Sequence, residues 1–121
     1  MKKATVEVHM QRGALGHIPA STERVSVEGD AIGPFVIHTM PAGTEGPGYA
    51  EEWGEWRVTH TGTGYMAGGA DSRTAAIKIA RALVTYAKKH GLSWEFTNPG
   101  TVGRWSKPHR KAIGLLVTAS R

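Results

Sequence analysis

The run DSRTAAIKIARALVTYAKKH, from Asp71 to His90, contains neither glycine nor proline, and Gly91 follows it at once. Its apolar residues recur at helical spacing, so the run predicts an amphipathic α-helix over 72–90. Asp71 or Ser72 supplies the N-cap, a side-chain oxygen for the free N–H groups of the first turn. Gly91 stands where a left-handed C-cap residue is wanted, and Leu92 can fold back over the last turn. At about 100° per residue, Ala76, Ile79, Ala80, Leu83, Tyr86 and Ala87 fall on one side. Arg73, Lys78, Arg81, Lys88 and Lys89 fall on the other, with Thr74 and Thr85 between them. The three alanines are short, which lets such a helix lie close on a sheet.

The chain before the helix predicts that sheet. Ala4, Val6, Val8 and Met10 alternate with Thr5, Glu7 and His9, the pattern of a half-buried strand. Val25 and Val27 mark a second, short strand, assigned to an edge. GDAIGP then turns the chain into FVIHTM, whose β-branched and aromatic residues favour a strand. Trp56, Val58 and His60 alternate with Glu55, Arg57 and Thr59. Thr61–Gly64 suits a hairpin turn, and YMAGGA is the returning strand. Beyond the helix, SWEFTN predicts a short strand with Trp94 and Phe96 on one face. In the tail, Ser106 before Lys107 and Pro108 marks a helix start, although AIGLLVT also suits a strand. The expectation is one α+β domain over 1–121: an antiparallel sheet of four to six strands, the long helix on one face and a short C-terminal helix or strand. PAGTEGPGYAEE is assigned to a mobile loop over 41–52, and 104–121 to a basic C-terminal segment.

Composition narrows the class. Hydrophobic residues at 40% and charged residues at 21% of the 121 positions are globular values, which argues against disorder. Without cysteine there is no disulfide framework, no thiolate chemistry and no cysteine-bearing zinc module. No apolar run suits a signal peptide or reaches the ~18 residues of a membrane span, so a cytoplasmic location and no membrane partner are expected. The net charge of +5 is unevenly spread. Up to Asp71 there are five basic and nine acidic residues; after it there are ten basic ones against Glu95 alone. Such asymmetry points to a polyanionic partner.

The basic residues are therefore the candidate site. Arg73, Lys78, Arg81, Lys88 and Lys89 share the outer helix face, and GRWSKPHRK adds Arg104, Lys107, Arg110 and Lys111. Lysine and arginine neutralise phosphates and release counterions, and Trp105 between them offers a ring for stacking on an unpaired base. Nucleic acid, DNA or RNA, is the expected partner, with a protein partner as the alternative. Gly68 and Gly69 before the helix raise the question of a phosphate cradle, but no Gly-Lys-Ser/Thr triplet starts the helix, and the dinucleotide fingerprint fails in its third glycine. The histidines show no HxH, HxxxH or HExxH spacing, so no metal and no cofactor is assigned. His38 and His60 lie on expected strands. His60 or His109 with a carboxylate such as Glu51, Glu52 or Glu55 would make a small ribonuclease, the second alternative. No catalytic residue is assigned.

Two resemblances add to this reading. Over residues 34–90, the order sheet, glycine-rich turn, then DSRTAAIKIARAL resembles the C-terminal half of a double-stranded RNA-binding domain. Ser72, Arg73, Ala76 and Ala80 match that family's helix, whose N-terminus grips phosphates across a groove. Thr74 and Ile77 stand where the family has lysines, and no amphipathic helix precedes the strands. The run Trp56 to Gly64, W-x-V-T-H-x-x-T-G, is also similar to small accessory proteins of actinobacterial phages and prophages. The second likeness implies a phage or prophage accessory gene and no activity. With the basic helix face and tail, the expectation is a non-enzymatic, phage-type accessory protein that binds nucleic acid. A protein-binding inhibitor of a host or defence enzyme, docking through Trp53, Trp56 and the acidic loop or through the basic face, is the first alternative.

Overall fold

The computed structural model describes residues 2–9, 24–40 and 54–119. The expected loop over 41–52, Trp53 and the last two residues of the basic segment lie outside them. Five strands form one antiparallel sheet in sequence order: β1 (Lys2–His9), β2 (Arg24–Ile32), β3 (Phe35–Thr39), β4 (Trp56–His60) and β5 (Met66–Ala70). Two helices follow, α1 (Arg73–Lys89) and α2 (Lys107–Ala119), with a 3-10 turn at Val102–Arg104 between them. The chain is thus α+β, with the long helix packed on the sheet and a short C-terminal helix beside it.

The strand period of two sorts the sheet into faces. Phe35, Ile37 and Val58 point towards α1 and join Ala76, Ile79, Ala80, Leu83 and Ala87 in the main core. Val36 points the other way and forms a second cluster with Val6, Val8 and Val27. Burying Ile79 and Leu83 completely contributes roughly 1.5–3 kcal/mol each, against about 0–1 kcal/mol for an exposed ion pair. The apolar side of α1 therefore decides how the helix sits. Ile77, outside the apolar side drawn from the wheel, is buried as well.

The helix ends follow their local chemistry. The Ser72 hydroxyl, not Asp71, caps the start by accepting from the Ala75 N–H at 3.1 Å. Gly91 takes φ +67°, and the Leu92 N–H reaches back to the Ala87 carbonyl at 2.9 Å, closing a Schellman turn.

Three expectations are corrected. The strand through Val25 and Val27 is not an edge; β2 lies between β1 and β3. It also runs on through Gly29 and Asp30 to Ile32, and the turn is confined to Gly33 and Pro34. Gly29 is a strand residue that admits β3: a Cβ there would lie 2.2 Å from the Ile37 carbonyl oxygen. SWEFTN is not a strand. Its residues pack as an irregular segment held by side chains, with the Trp94 indole N–H donating to the Leu83 carbonyl at 3.0 Å. The Phe96 N–H bonds to the Trp94 carbonyl of its own segment, so no neighbouring strand is recruited there.

Gly68 and Gly69, weighed as a phosphate cradle, lie inside β5. Gly68 faces the helices: a Cβ there would sit 3.1 Å from a Val117 methyl and 3.3 Å from an Ile79 methyl. That is where β5, α1 and α2 meet. Gly68→Val should cost about 2 kcal/mol by overpacking this junction, measured as a lowered urea midpoint with the two-state slope unchanged.

Candidate nucleic-acid interface

The expected site residues separate into three environments. The first is the outer face of α1 and the first turn of α2. Lys78, Arg81, Lys88, Lys89, Lys107, Arg110 and Lys111 are all exposed. The Tyr86 hydroxyl and His109 Nδ1 hydrogen-bond at 2.7 Å, and the His90 and His109 rings lie 5.3 Å apart, centroid to centroid. These contacts set the last turn of α1 against the first turn of α2. The end of α1 that carries Lys89 is thereby set beside the start of α2, which carries Lys107, Arg110 and Lys111. Lys88, about 200° round the helix from both Tyr86 and His90, lies on the other side, beside Val84, Ser93 and Glu95. Among the described residues, none of these seven cations is in an ion pair.

The two helix ends differ in what their cations do locally. Lys88 and Lys89 occupy the last turn of α1, where the negative end of the helix dipole favours them. Lys107, Arg110 and Lys111 occupy the start of α2, which has no acidic residue in its first turn. Positive charge at a helix N-terminus opposes the dipole by some tenths of a kcal/mol per residue. Helix stability thus accounts for the lysines of α1 but not for the cations of α2.

The second environment is Arg73. At the start of α1 its guanidinium bonds to the Asp30 carboxylate through both Nε, at 3.0 Å, and Nη2, at 2.8 Å. Lys3 Nζ lies 2.9 Å from the other carboxylate oxygen. Lys3 and then Arg73 hold the Asp30 carboxyl below its ordinary range, against the opposing effect of burial. Arg73 therefore ties α1 to β2 and lies apart from the cationic end formed by the two helices.

The third environment is Trp105. It is half-buried, with its ring 5.1 Å from Trp94 and 6.1 Å from Phe96 in edge-on contact. These rings extend a cluster that includes Phe35 and His60. The ring expected to stack on a base thus packs against the protein, while Arg104 beside it is exposed and the Trp105 carbonyl accepts from Arg110 Nε at 3.1 Å.

The histidines weighed for acid–base chemistry are engaged in hydrogen bonds. His60 Nε2 donates to the Trp94 carbonyl at 2.6 Å, and Nδ1 accepts from the Thr63 hydroxyl at 3.0 Å. That hydroxyl oxygen also accepts from the Tyr65 N–H at 3.2 Å, which directs its own proton to His60. His38 uses the opposite tautomer. Its Nδ1 donates to the Thr39 carbonyl at 3.0 Å, and its Nε2 accepts from the Thr59 hydroxyl at 2.6 Å. Arg57, its partner across the β3–β4 ladder, is also buried and donates to the Gly54 carbonyl. Glu51 and Glu52 lie outside the described residues. Within them, no group of three His, Asp or Glu side chains could hold a metal ion.

Sequence reading missed Asp30 as a partner of Arg73 and Tyr86 and His90 as the link between the helices. It also missed the cleft beside His60 described below. None carries a local motif; each joins elements far apart in the chain. Among the described residues no helix is long and apolar enough to cross a membrane. Comparison with protein-family models, curated protein sequences and solved structures finds no match to this chain.

Burial holds His38 below the usual histidine value of about 6.5, and Arg57 pushes it the same way, against the bond to the Thr39 carbonyl. The folded state thus resists a proton that the unfolded chain accepts. The stability this provides is complete above about pH 6.5 and declines as pH falls towards the lowered folded value. Urea midpoints measured between pH 7.5 and pH 5 should fall in the native protein and fall less in His38→Gln, since every other titrating group is common to both.

Proposed function

We propose that this chain is a non-enzymatic accessory protein that binds nucleic acid through the cations of α1 and the C-terminal segment. The observation that carries the reading is the cationic end of the helical layer. Lys89, Lys107, Arg110 and Lys111 are carried by the two helix ends that the Tyr86–His109 contact brings together. None has an ion-pair partner among the described residues, and Lys107 and Arg110 lie in a first turn that disfavours positive charge. The scarcity of acidic residues after Asp71 supports it, since Glu95 alone could compete with phosphate there. Contact through backbone phosphates fits the half-buried position of Trp105 better than base stacking does. The similarity of the Trp56–Gly64 run to phage accessory proteins is the reason for placing it in that class.

Fluorescence anisotropy with short labelled DNA and RNA tests this. Affinity should fall steeply with salt, and Lys89→Gln, Lys107→Gln and Lys111→Gln combined should flatten the log–log slope by about three, or about one per lost phosphate contact. Absence of binding to both nucleic acids at low salt rejects the proposal.

One observation favours a second reading, a protein-binding inhibitor of a host or defence enzyme. Leu115, on the outer side of α2 one turn after Lys111, is 60% exposed. An exposed leucine beside cations offers apolar contact area with a charged rim, the layout of a protein interface. In that case host protein captured after nuclease treatment should be lost on Leu115→Arg, while the salt-dependent binding of nucleic acid persists.

A further inference from the structure

A cleft of about 620 Å³ opens between the β4–β5 hairpin, the segment 94–102 and the two helices, its Leu83 and Ile113 each one helical turn from the Tyr86–His109 contact. Its size is that of a small-ligand site. Met66, Ala67, Leu83, Phe96, Val102 and Ile113 supply apolar wall, and Tyr65 stands 42% exposed at the hairpin end. A bulge shapes one side. Val58 pairs with Gly68 and Thr59 with Met66, leaving Ala67 as the extra residue of β5. Strict alternation would send either Met66 or Ala67 to the far face of the sheet; the bulge lets both line the cleft.

The polar chemistry of the floor is already committed. His60 and Trp94 line the cleft, yet both His60 nitrogens and the Trp94 indole N–H have protein partners. Such a floor binds apolar surface and offers no acid or base. No Asp, Glu, Lys or Arg lines the cleft itself, and the charged residues that flank its walls in the chain are two arginines. Arg104 closes the 3-10 turn whose Val102 is part of the wall. Arg110 precedes Ile113 by one helical turn and is anchored by Nε to the Trp105 carbonyl, in the residue after Arg104. Apolar walls disfavour a fully hydrated ion, and the charge balance disfavours a cation.

We propose that this cleft binds a small amphipathic anion, its apolar ring or chain seated against Met66, Phe96 and Ile113 and its carboxylate, sulfonate or phosphate towards Arg104 and Arg110. The site shares Arg110 with the phosphate-contacting face but uses none of Lys89, Lys107 and Lys111, and its apolar wall does not depend on that face.

Two dyes of nearly the same shape test the proposal: anilinonaphthalene sulfonate, an anion, and uncharged phenylnaphthylamine. The sulfonate should fill a single saturable site per chain and quench Trp94 fluorescence in step. Ala67→Phe and Ile113→Trp, which fill the cleft, should each abolish binding of both dyes while keeping the native circular dichroism and melting transition. Should either fail to fold, the other remains the test. Arg104→Glu with Arg110→Glu should weaken the sulfonate by about tenfold or more and the uncharged dye by less than about twofold. The Lys89→Gln, Lys107→Gln, Lys111→Gln protein should bind the uncharged dye as the native protein does, so that loss of nucleic-acid binding and loss of dye binding are told apart. No saturable site, binding that survives in a folded cleft-filling variant, or equal loss of both dyes on charge reversal overturns the proposal.

Discussion

The close seating of α1 on the sheet governs the rest of the molecule. Ala76 and Ala80 are completely buried, and Gly68 beneath the helices leaves room for one Val117 and one Ile79 methyl group. A larger residue at any of these points would lift the helix from β3, β4 and β5. Because protein interiors are close-packed, a lifted helix would also displace what rests against it. The Asp30–Arg73 pair holds the start of α1 to β2, and the Trp94 indole ties the returning chain to its middle through Leu83.

Once α1 is seated, the placement of α2 follows. Val117 meets Ile79 over Gly68, and His109 meets Tyr86 and His90 one helix end away. The end of α1 that carries Lys89 is thereby joined to the basic start of α2, and the gap left between α2 and the β4–β5 hairpin becomes the apolar cleft. The two features draw on different physics. One is solvated charge without counter-charge in the protein, so its attraction is long-ranged and salt-sensitive. The other is apolar wall with its polar groups already satisfied, so its selectivity rests on shape and burial.

The buried polar groups show how the sheet absorbs histidines that seemed suited to chemistry. His38 and His60 carry their protons on opposite ring nitrogens because each must satisfy one backbone carbonyl, that of Thr39 or Trp94. A threonine hydroxyl completes each ring. A carbonyl accepts and cannot donate, and this decides the tautomer in both cases.

What could be read in the chain was whatever depends on neighbours a few residues apart. The helix over 72–90, its Gly91 stop, the strand alternation at Val6–Val8 and Trp56–His60, and the Thr61–Gly64 turn all follow from spacing and local backbone preference. The helix at Lys107–Ala119 was legible only as one of two options, because Gly114 and the run Leu115–Val117 suit either period. Gly29 read as a turn because glycine has the same local signature in a turn and in a strand approached closely by another; only the Ile37 carbonyl across the ladder distinguishes them. SWEFTN has a strand's alternation, but no ladder partner is met where Trp94 and Phe96 pack. By itself the sequence determined the elements and the excess of positive charge after Asp71. Tertiary structure alone decided that Arg73 is bonded to Asp30, that Trp105 packs inward, and that α2 meets the end of α1. These are contacts between residues brought together from distant parts of the chain, whose energies exist only once the helices are seated on the sheet.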